Sequence, residues 1–249
     1  MGLFNFFKKN SETTAKPSEK MGKLEETDQH FYTLSIAKVV QETNDAISVY
    51  LRIPNGLRKI FDYKPGQYIT LRISINGQVA LRSYSISSSP YTDHFFRIAI
   101  KRKPGGLVSG YLVDTLKANQ NLDVFPPLGH FTPDTATKKI HFLLFAGGSG
   151  ITPMLSILKS VLVHNPNCAV SLIYANKNEN SIIYYNELKQ LEQKHTKRLI
   201  IHHILDDIRS DFNALQGIFT TNDYTKLISN TYASILPHAQ YFICGPKGM

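Results

Sequence analysis

The chain has 249 residues, 42% of them hydrophobic and 11% aromatic, which is enough for two domains with their own cores and excludes a disordered chain. No apolar run reaches the roughly 20 residues that a membrane-spanning helix requires. The net charge of +9 is spread as +3 in each of residues 1–23, 24–133 and 134–249, unlike the basic stripe of a nucleic-acid binder.

In chain order, residues 1–23 begin with Leu3-Phe4-Asn5-Phe6-Phe7-Lys8-Lys9 and continue as a polar run with Pro17. They lack the apolar core of a signal peptide and read as a flexible tail. Short strands follow. Phe31 to Val40 mixes aromatic and β-branched residues, and Ala46 to Ile53 alternates, with Ile47, Val49, Leu51 and Ile53 on one face. Tyr68 to Ile75 alternates too and leads through the hairpin turn Asn76-Gly77 into Gln78 to Ser85. Phe95 to Lys101 is another strand, and Lys101-Arg102-Lys103 reads most simply as its solvated end, while attraction to an acidic protein partner or an anionic cofactor is equally compatible. Gly106 to Lys117 has helical spacing through Leu107, Val108, Tyr111, Leu112 and Leu116. Leu122 to Phe125 closes the set, entered through Asn121, a residue type that tolerates left-handed backbone. Many short strands joined by turns predict a small antiparallel barrel over residues 24–133.

After the polar bridge Asp134 to Thr137 the rhythm changes. Strand 140–146, helix 153–163, strand Ala169 to Tyr174, helix 184–195, strand Leu199 to Leu205, a helix near 224–229 and strand Gln240 to Cys244 alternate over residues 134–249. That order predicts a parallel sheet covered by helices on both faces, with its ligand at the carboxyl ends of the strands. Those ends carry Gly147 to Pro153, Tyr174-Ala175-Asn176-Lys177 and Cys244-Gly245-Pro246. The adjacent His202 and His203 point to opposite faces of a strand and cannot share a metal ion, so no metal site is expected. Cys168 and Cys244, the two cysteines, have no metal-ligand spacing and fit a reducing compartment, so a cytoplasmic location is expected.

The glycine-rich stretch Gly147-Gly148-Ser149-Gly150-Ile151-Thr152-Pro153 runs from a buried strand into a helix. Glycines there let backbone approach a phosphate, and the helix start offers free N–H groups. It lacks the G-x-G-x-x-G spacing, so the usual dinucleotide inference does not transfer to it. Arg82 has the planar fork that suits a pyrophosphate, Tyr84 a flat ring and a hydroxyl, and Ser85 a small hydroxyl on the opposite face. Gly106 and Ser109 open a helix, where backbone N–H groups and a capping hydroxyl can hold a second phosphate-binding wall.

Arg82-Ser83-Tyr84-Ser85, Gly106-Leu107-Val108-Ser109, Gly147 to Pro153 and Cys244-Gly245-Pro246 occur in that order. Together they resemble the ferredoxin–NADP reductase superfamily over residues 28–249, and within it the reductase components of multicomponent oxygenases of the phenylacetyl-CoA type. The resemblance implies an FAD-binding antiparallel barrel followed by an NAD(P)-binding α/β domain with a parallel sheet. It implies FAD bound by Arg82, Tyr84, Ser85, Gly106, Val108 and Ser109. It implies NAD(P)H bound by Gly147, Gly148, Gly150, Thr152, Pro153, Lys177, Gly245 and Pro246. Ser85 would lie near flavin N5, Thr152 between flavin and nicotinamide, and Cys244 beside nicotinamide C4, as the catalytic set. Lys177 stands where many members carry an arginine, which leaves NADH versus NADPH open. Electrons would pass to an iron–sulfur protein or ferredoxin-like domain and on to an oxygenase component. The four cysteines of a [2Fe–2S] site are missing from residues 1–249, so a cluster would lie outside them. The family continues past Cys-Gly-Pro, so a chain stopping at Met249 reads as a piece. A free-standing ferredoxin or flavodoxin reductase, and a flavin-holding conduit subunit with little NAD(P)H activity, are the alternatives.

Overall fold

The computed structural model describes residues 30–134, 140–208, 212–217, 232 and 239–246. The tail at 1–23, Thr135 to Thr137 of the bridge and the helix expected near 224–229 lie outside them. Among the described residues no helix is long and apolar enough to cross a membrane.

The first half is a six-stranded antiparallel sheet in the order β4-β3-β6-β1-β2-β5. Its strands are β1 (Tyr32–Thr43), β2 (Ala46–Arg52), β3 (Tyr68–Ile75), β4 (Gln78–Ser85), β5 (Phe96–Lys101) and β6 (Asn121–Leu128). A bridge between Ile86, just after β4, and Ile98 of β5 brings the two outer strands together, as the barrel reading requires. β6 runs further than the expected Phe125, through Pro126 and Pro127. These two cannot donate to the ladder, and the pairing with β3 shifts register there, from Tyr68–Leu128 to Thr70–Phe125. The left-handed residue before β6 is Asn119 (φ 68), not Asn121, which already belongs to the strand.

Helix α1 (Leu107–Thr115) packs on the barrel through Val108 and Leu112, with Leu116 beyond its end following at the same spacing of four. Leu107 and Tyr111, expected in the apolar stripe, lie one position earlier in the turn and are exposed (68% and 40%).

The second half is a parallel sheet in the order β10-β9-β8-β7-β11. It comprises β7 (His141–Gly147), β8 (Ala169–Asn176), β9 (Leu199–Leu205), the two-residue β10 (Leu215–Gln216) and β11 (Ala239–Cys244), with helices α2 (Ile151–His164) and α3 (Tyr185–Lys194). From β7 the chain steps outward to β8, β9 and β10, while β11 returns to the other side of β7. The switch point therefore lies between β7 and β11. His202 and His203 do face opposite ways. His202 meets the Tyr232 hydroxyl (2.7 Å), whereas His203 lies among Tyr174, Tyr185 and Phe212.

The alternation of β2 is only half the story of that strand. Ile47, Val49 and Leu51 fill the barrel, each stabilising by roughly 1.5–3 kcal/mol through burial. Ser48, on the outer face, is fully buried as well, because the α/β half covers it. Ala46 of β2 and Ala99 of β5 belong to the core of the α/β half, and Ser48 donates to the Tyr184 hydroxyl (3.2 Å). Helix α2 is enclosed for the same reason: its apolar face meets the sheet, while Ser156 donates to the Ser88 carbonyl (2.6 Å) and Ser160 to Ser89 (2.8 Å).

Glu187 of α3 lies at the centre of this junction, bonded to Arg97 and Lys159. Burial works to raise its carboxyl, but the Arg97 hydrogen bond and the charges of Arg97 and Lys159 outweigh it and hold the group below the usual carboxylate range. Its contribution to stability is therefore complete above the ordinary glutamate value and lost as pH falls through the lowered folded value. Glu42, pushed up mainly by burial, has the opposite sign. Melting temperatures measured from pH 7 to pH 3 should fall more steeply for the native chain than for Glu187→Gln once pH drops below 4.5, the unperturbed glutamate value. Parallel curves would contradict this assignment.

Candidate functional site

The carboxyl ends of β7 and β11 face the ends of β4 and β5 across a cleft of about 530 Å³, within the range of small-ligand sites. One wall is Ser83, Tyr84 and Ser85 of β4 with Ala99 and Lys101 of β5; the other is Gly147, Gly148, Ser149, Gly150 and Thr152 with Cys244, Gly245 and Pro246. Nine of the residues expected at a site from sequence thus come together: Tyr84, Ser85, Gly147, Gly148, Gly150, Thr152, Cys244, Gly245 and Pro246.

The glycines of the turn are required by two different constraints. Gly148 has φ +51, where side chains other than glycine are strained, and the space beside it is open up to the Lys101 ammonium, 3.7 Å from where a Cβ would stand. At Gly150 a Cβ would lie 1.9 Å from the Cys244 carbonyl oxygen, so its absence lets the β7 turn press against the end of β11. The Thr152 hydroxyl donates to the Ser149 carbonyl (3.0 Å) and closes the first turn of α2. The Tyr174 hydroxyl supports the turn from below by donating to the Gly148 carbonyl (3.0 Å).

Lys101 is the residue that sequence reasoning misplaced. Instead of ending a strand in solvent, its side chain is only 25% exposed and lines the cleft, with Asp45 3.7 Å away. It alternates with Ile100 on β5, so it shares the outward face of Arg97 and Ala99 that the α/β half covers. Arg102 pairs with Asp114 on the barrel surface.

The remaining expected residues lie outside the cleft lining. Arg82 is exposed on β4, donates to the Leu81 carbonyl (2.8 Å) and has no carboxylate partner among the described residues. Val108 puts its side chain into the barrel core, leaving only its backbone for a ligand. The Ser109 hydroxyl accepts from the Lys103 N–H (3.0 Å), and the turn is so tight that a Cβ on Gly106 would meet that hydroxyl at 2.9 Å. Pro153 is buried in the first turn of α2, and Lys177 is exposed just beyond β8. Before Lys177, Asn176 is 8% exposed, and among the described residues its side chain lies near the Tyr174 hydroxyl without a well-formed hydrogen bond.

These residues fit the two cofactors. The open, cation-flanked space at Gly148 suits a pyrophosphate, and the unpaired Arg82 fork suits another. Burial pushes the Tyr84 hydroxyl up to about 12 and raises the Cys244 thiol, so both stay protonated at neutral pH. Among the described residues that line the cleft there is then no side-chain anion.

Residues 33–132 match the oxidoreductase FAD-binding domain family and residues 144–249 the oxidoreductase NAD-binding domain family. Among similar proteins, the ferredoxin reductase component of 3-ketosteroid-9-alpha-monooxygenase from Rhodococcus rhodochrous is 41% identical over 215 residues, 86% of this chain and 57% of that protein. A component of the 1,2-phenylacetyl-CoA epoxidase of Escherichia coli is 34% identical over 88% of this chain and 61% of its own length. The chain thus spans about three fifths of these relatives. Among solved structures, ferredoxin–NADP+ reductase from Plasmodium falciparum has the same fold, with TM-score 0.73 and 24% identity over 89% of each chain.

Gly148→Val should abolish nicotinamide-nucleotide binding and leave FAD bound, because a branched side chain at positive φ costs about 1–3 kcal/mol and fills the space beside Lys101. Titration with NAD+ and NADP+, alongside the flavin absorbance of the purified variant, checks this. Loss of FAD with nucleotide affinity retained would refute the division of labour. With an antiparallel barrel, a parallel sheet and a cleft between them, the chain belongs to the oxidoreductases that pair an FAD-binding with an NAD-binding domain, in the fold of the ferredoxin–NADP reductases.

Proposed function

We propose that the chain is the electron-transfer reductase of an oxygenase system, oxidising NAD(P)H and delivering single electrons to an iron–sulfur centre outside residues 1–249. One observation carries the reading: residues of the FAD-binding half and of the NAD-binding half form opposite walls of a single cleft. Bound there, FAD would accept a hydride from the nicotinamide and release its electrons one at a time. The chain supplies position and electrostatics. Lys101 and the N–H groups of the Gly148 turn hold the nucleotide pyrophosphate, and Arg82 with the start of α1 holds that of the flavin. Tyr84 and Ser85 fix the flavin edge through hydroxyls that remain protonated. Thr152 and Cys244 shape the nicotinamide side, and the neutral thiol places no anion beside a ring that becomes cationic. Lys177 attracts a ribose 2′-phosphate as a point charge without the guanidinium fork, so neither NADH nor NADPH is strongly excluded.

The names of the similar oxygenase components support an oxygenase partner. The two free cysteines fit a cytoplasmic home, and the excess of basic residues an acidic electron acceptor. The purified chain should be yellow with about one FAD, and Arg82→Ala should lose it. It should reduce ferricyanide with NADH and NADPH at rates within about tenfold of each other, under about 1.4 kcal/mol of discrimination. Cytochrome c should be reduced slowly until a [2Fe–2S] protein is added, with the coupling weakened by salt as screening falls below about 8–10 Å. Fast cytochrome c reduction without that protein favours a direct flavin reductase. Bound FAD with no NAD(P)H oxidation favours a conduit subunit.

A further inference from the structure

The face of β5 that lines the cleft begins in a buried ionic chain. Arg97 is 6% exposed and donates to Glu187 from Nη1 (2.7 Å to Oε2) and Nη2 (3.2 Å to Oε1), as well as to Ser87 from Nε and to the Tyr50 hydroxyl (both 3.2 Å). Glu187 Oε1 also accepts from Lys159 Nζ (2.7 Å), which donates in turn to Asp93 (2.7 Å). Arg97 and Asp93 belong to the barrel half, and Glu187 and Lys159 to the α/β half. Positive and negative groups therefore alternate along the chain Arg97–Glu187–Lys159–Asp93, with the Glu42 carboxyl also within electrostatic reach of Arg97 and Glu187.

A second, independent feature converges on the same point. Tyr184, which precedes α3, has φ 65 and ψ 23, a conformation that a bulky side chain adopts only when its surroundings enforce it. Its hydroxyl accepts from Ser48 and donates to Ser87 (2.9 Å), and the Arg97 guanidinium lies over its ring, 4.4 Å from the centroid. This turn delivers Glu187 to Arg97.

The clamp grips the two elements that carry opposite walls of the cleft. Arg97, Ala99 and Lys101 are alternate residues of β5, and successive pairs stand about 6.6 Å apart along a strand. Lys159 lies seven residues, about 10.5 Å of helix, after Thr152 on α2. Along these two elements a shift at Glu187 would reach Lys101 on one wall and Thr152 and Gly150 on the other.

We propose that Glu187 is a positioning residue for the reductive step, setting the width of the cleft by tying Arg97 of β5 to Lys159 of α2. The proposal rests on the reading that a hydride crosses this cleft. Glu187 is not among the residues that line the cleft.

The test is anaerobic stopped-flow reduction of the FAD-loaded chain over a series of NADH and NADPH concentrations, with amide hydrogen exchange of β5 and α2 measured on the same samples. For Glu187→Gln the limiting rate should fall at least tenfold, with the half-saturating concentration within about threefold and FAD retained. Arg97→Gln/Glu187→Gln should be no slower than Glu187→Gln alone, since both remove one coupled unit. Exchange at β5 and the start of α2 should rise. Tyr184→Phe, which deletes a single hydroxyl, should fold and lower the limiting rate about threefold; it decides the matter if Glu187→Gln does not fold. A limiting rate equal to that of the native chain in the folded variants, or an effect confined to half-saturation, overturns the proposal. If the native flavin is not reduced at all, the reading of the function fails, and the exchange data alone then judge the clamp: unchanged protection overturns it.

Discussion

The bidentate contact between Arg97 and Glu187 is the interaction on which the arrangement of the molecule depends. Each half has its own apolar core, one around Leu34, Val49 and Ile98, the other around Phe142, Leu158 and Leu172, with only Ala46 and Ala99 of the barrel strands joining the second. Those cores dictate two folds but not their relation. The relation is fixed by polar groups that neither half could bury alone. Once desolvated, each needs its partner, because stranding one member of a buried ion pair costs about 3–5 kcal/mol. The junction is therefore specific in a way that an apolar contact of the same area would not be. The hydroxyls of Ser48, Ser87, Ser156 and Ser160 add directional bonds around it.

The cleft follows from that relation. The switch point of the parallel sheet leaves the ends of β7 and β11 side by side, and Gly150 lets them touch. Docking the barrel by β2 and β5 brings β4 and the end of β5 opposite them. Tyr84 and Cys244, 160 positions apart in sequence, thereby line one space. A nucleotide site at a strand terminus and a flavin site on a barrel are each ordinary features; their coincidence gives the assembly its chemistry.

Much of this was legible in the sequence. Strict alternation in β3 and the Asn76-Gly77 turn specified the β3–β4 hairpin, whose register runs unbroken from Tyr68–Ser85 to Ile75–Gln78. The apolar run 140–146 and the helical spacing after Thr152 specified β7 and α2, and the glycines between them the turn. What escaped was everything decided by contact between the halves. Arg97 and Lys159 look like surface residues, and a buried Ser48 breaks no pattern that periodicity detects. Lys101 read as solvated because nothing local says that the second half covers its face. Leu107 and Tyr111 have helical spacing, yet they lie one position ahead of Val108 and Leu112, which with Val113 and Leu116 make the face that meets the barrel. The lesson is physical: short-range pattern reports the face turned to a residue's own core, and says little of the face turned to another.

The central claim is that one cleft serves both cofactors, and anaerobic titration of the FAD-loaded chain with reduced nicotinamide nucleotide tests it most directly. The account predicts that about one equivalent of NADH or NADPH bleaches the oxidised-flavin absorbance. A flavin that stays oxidised in excess of both nucleotides, in a folded chain that binds them, would contradict it.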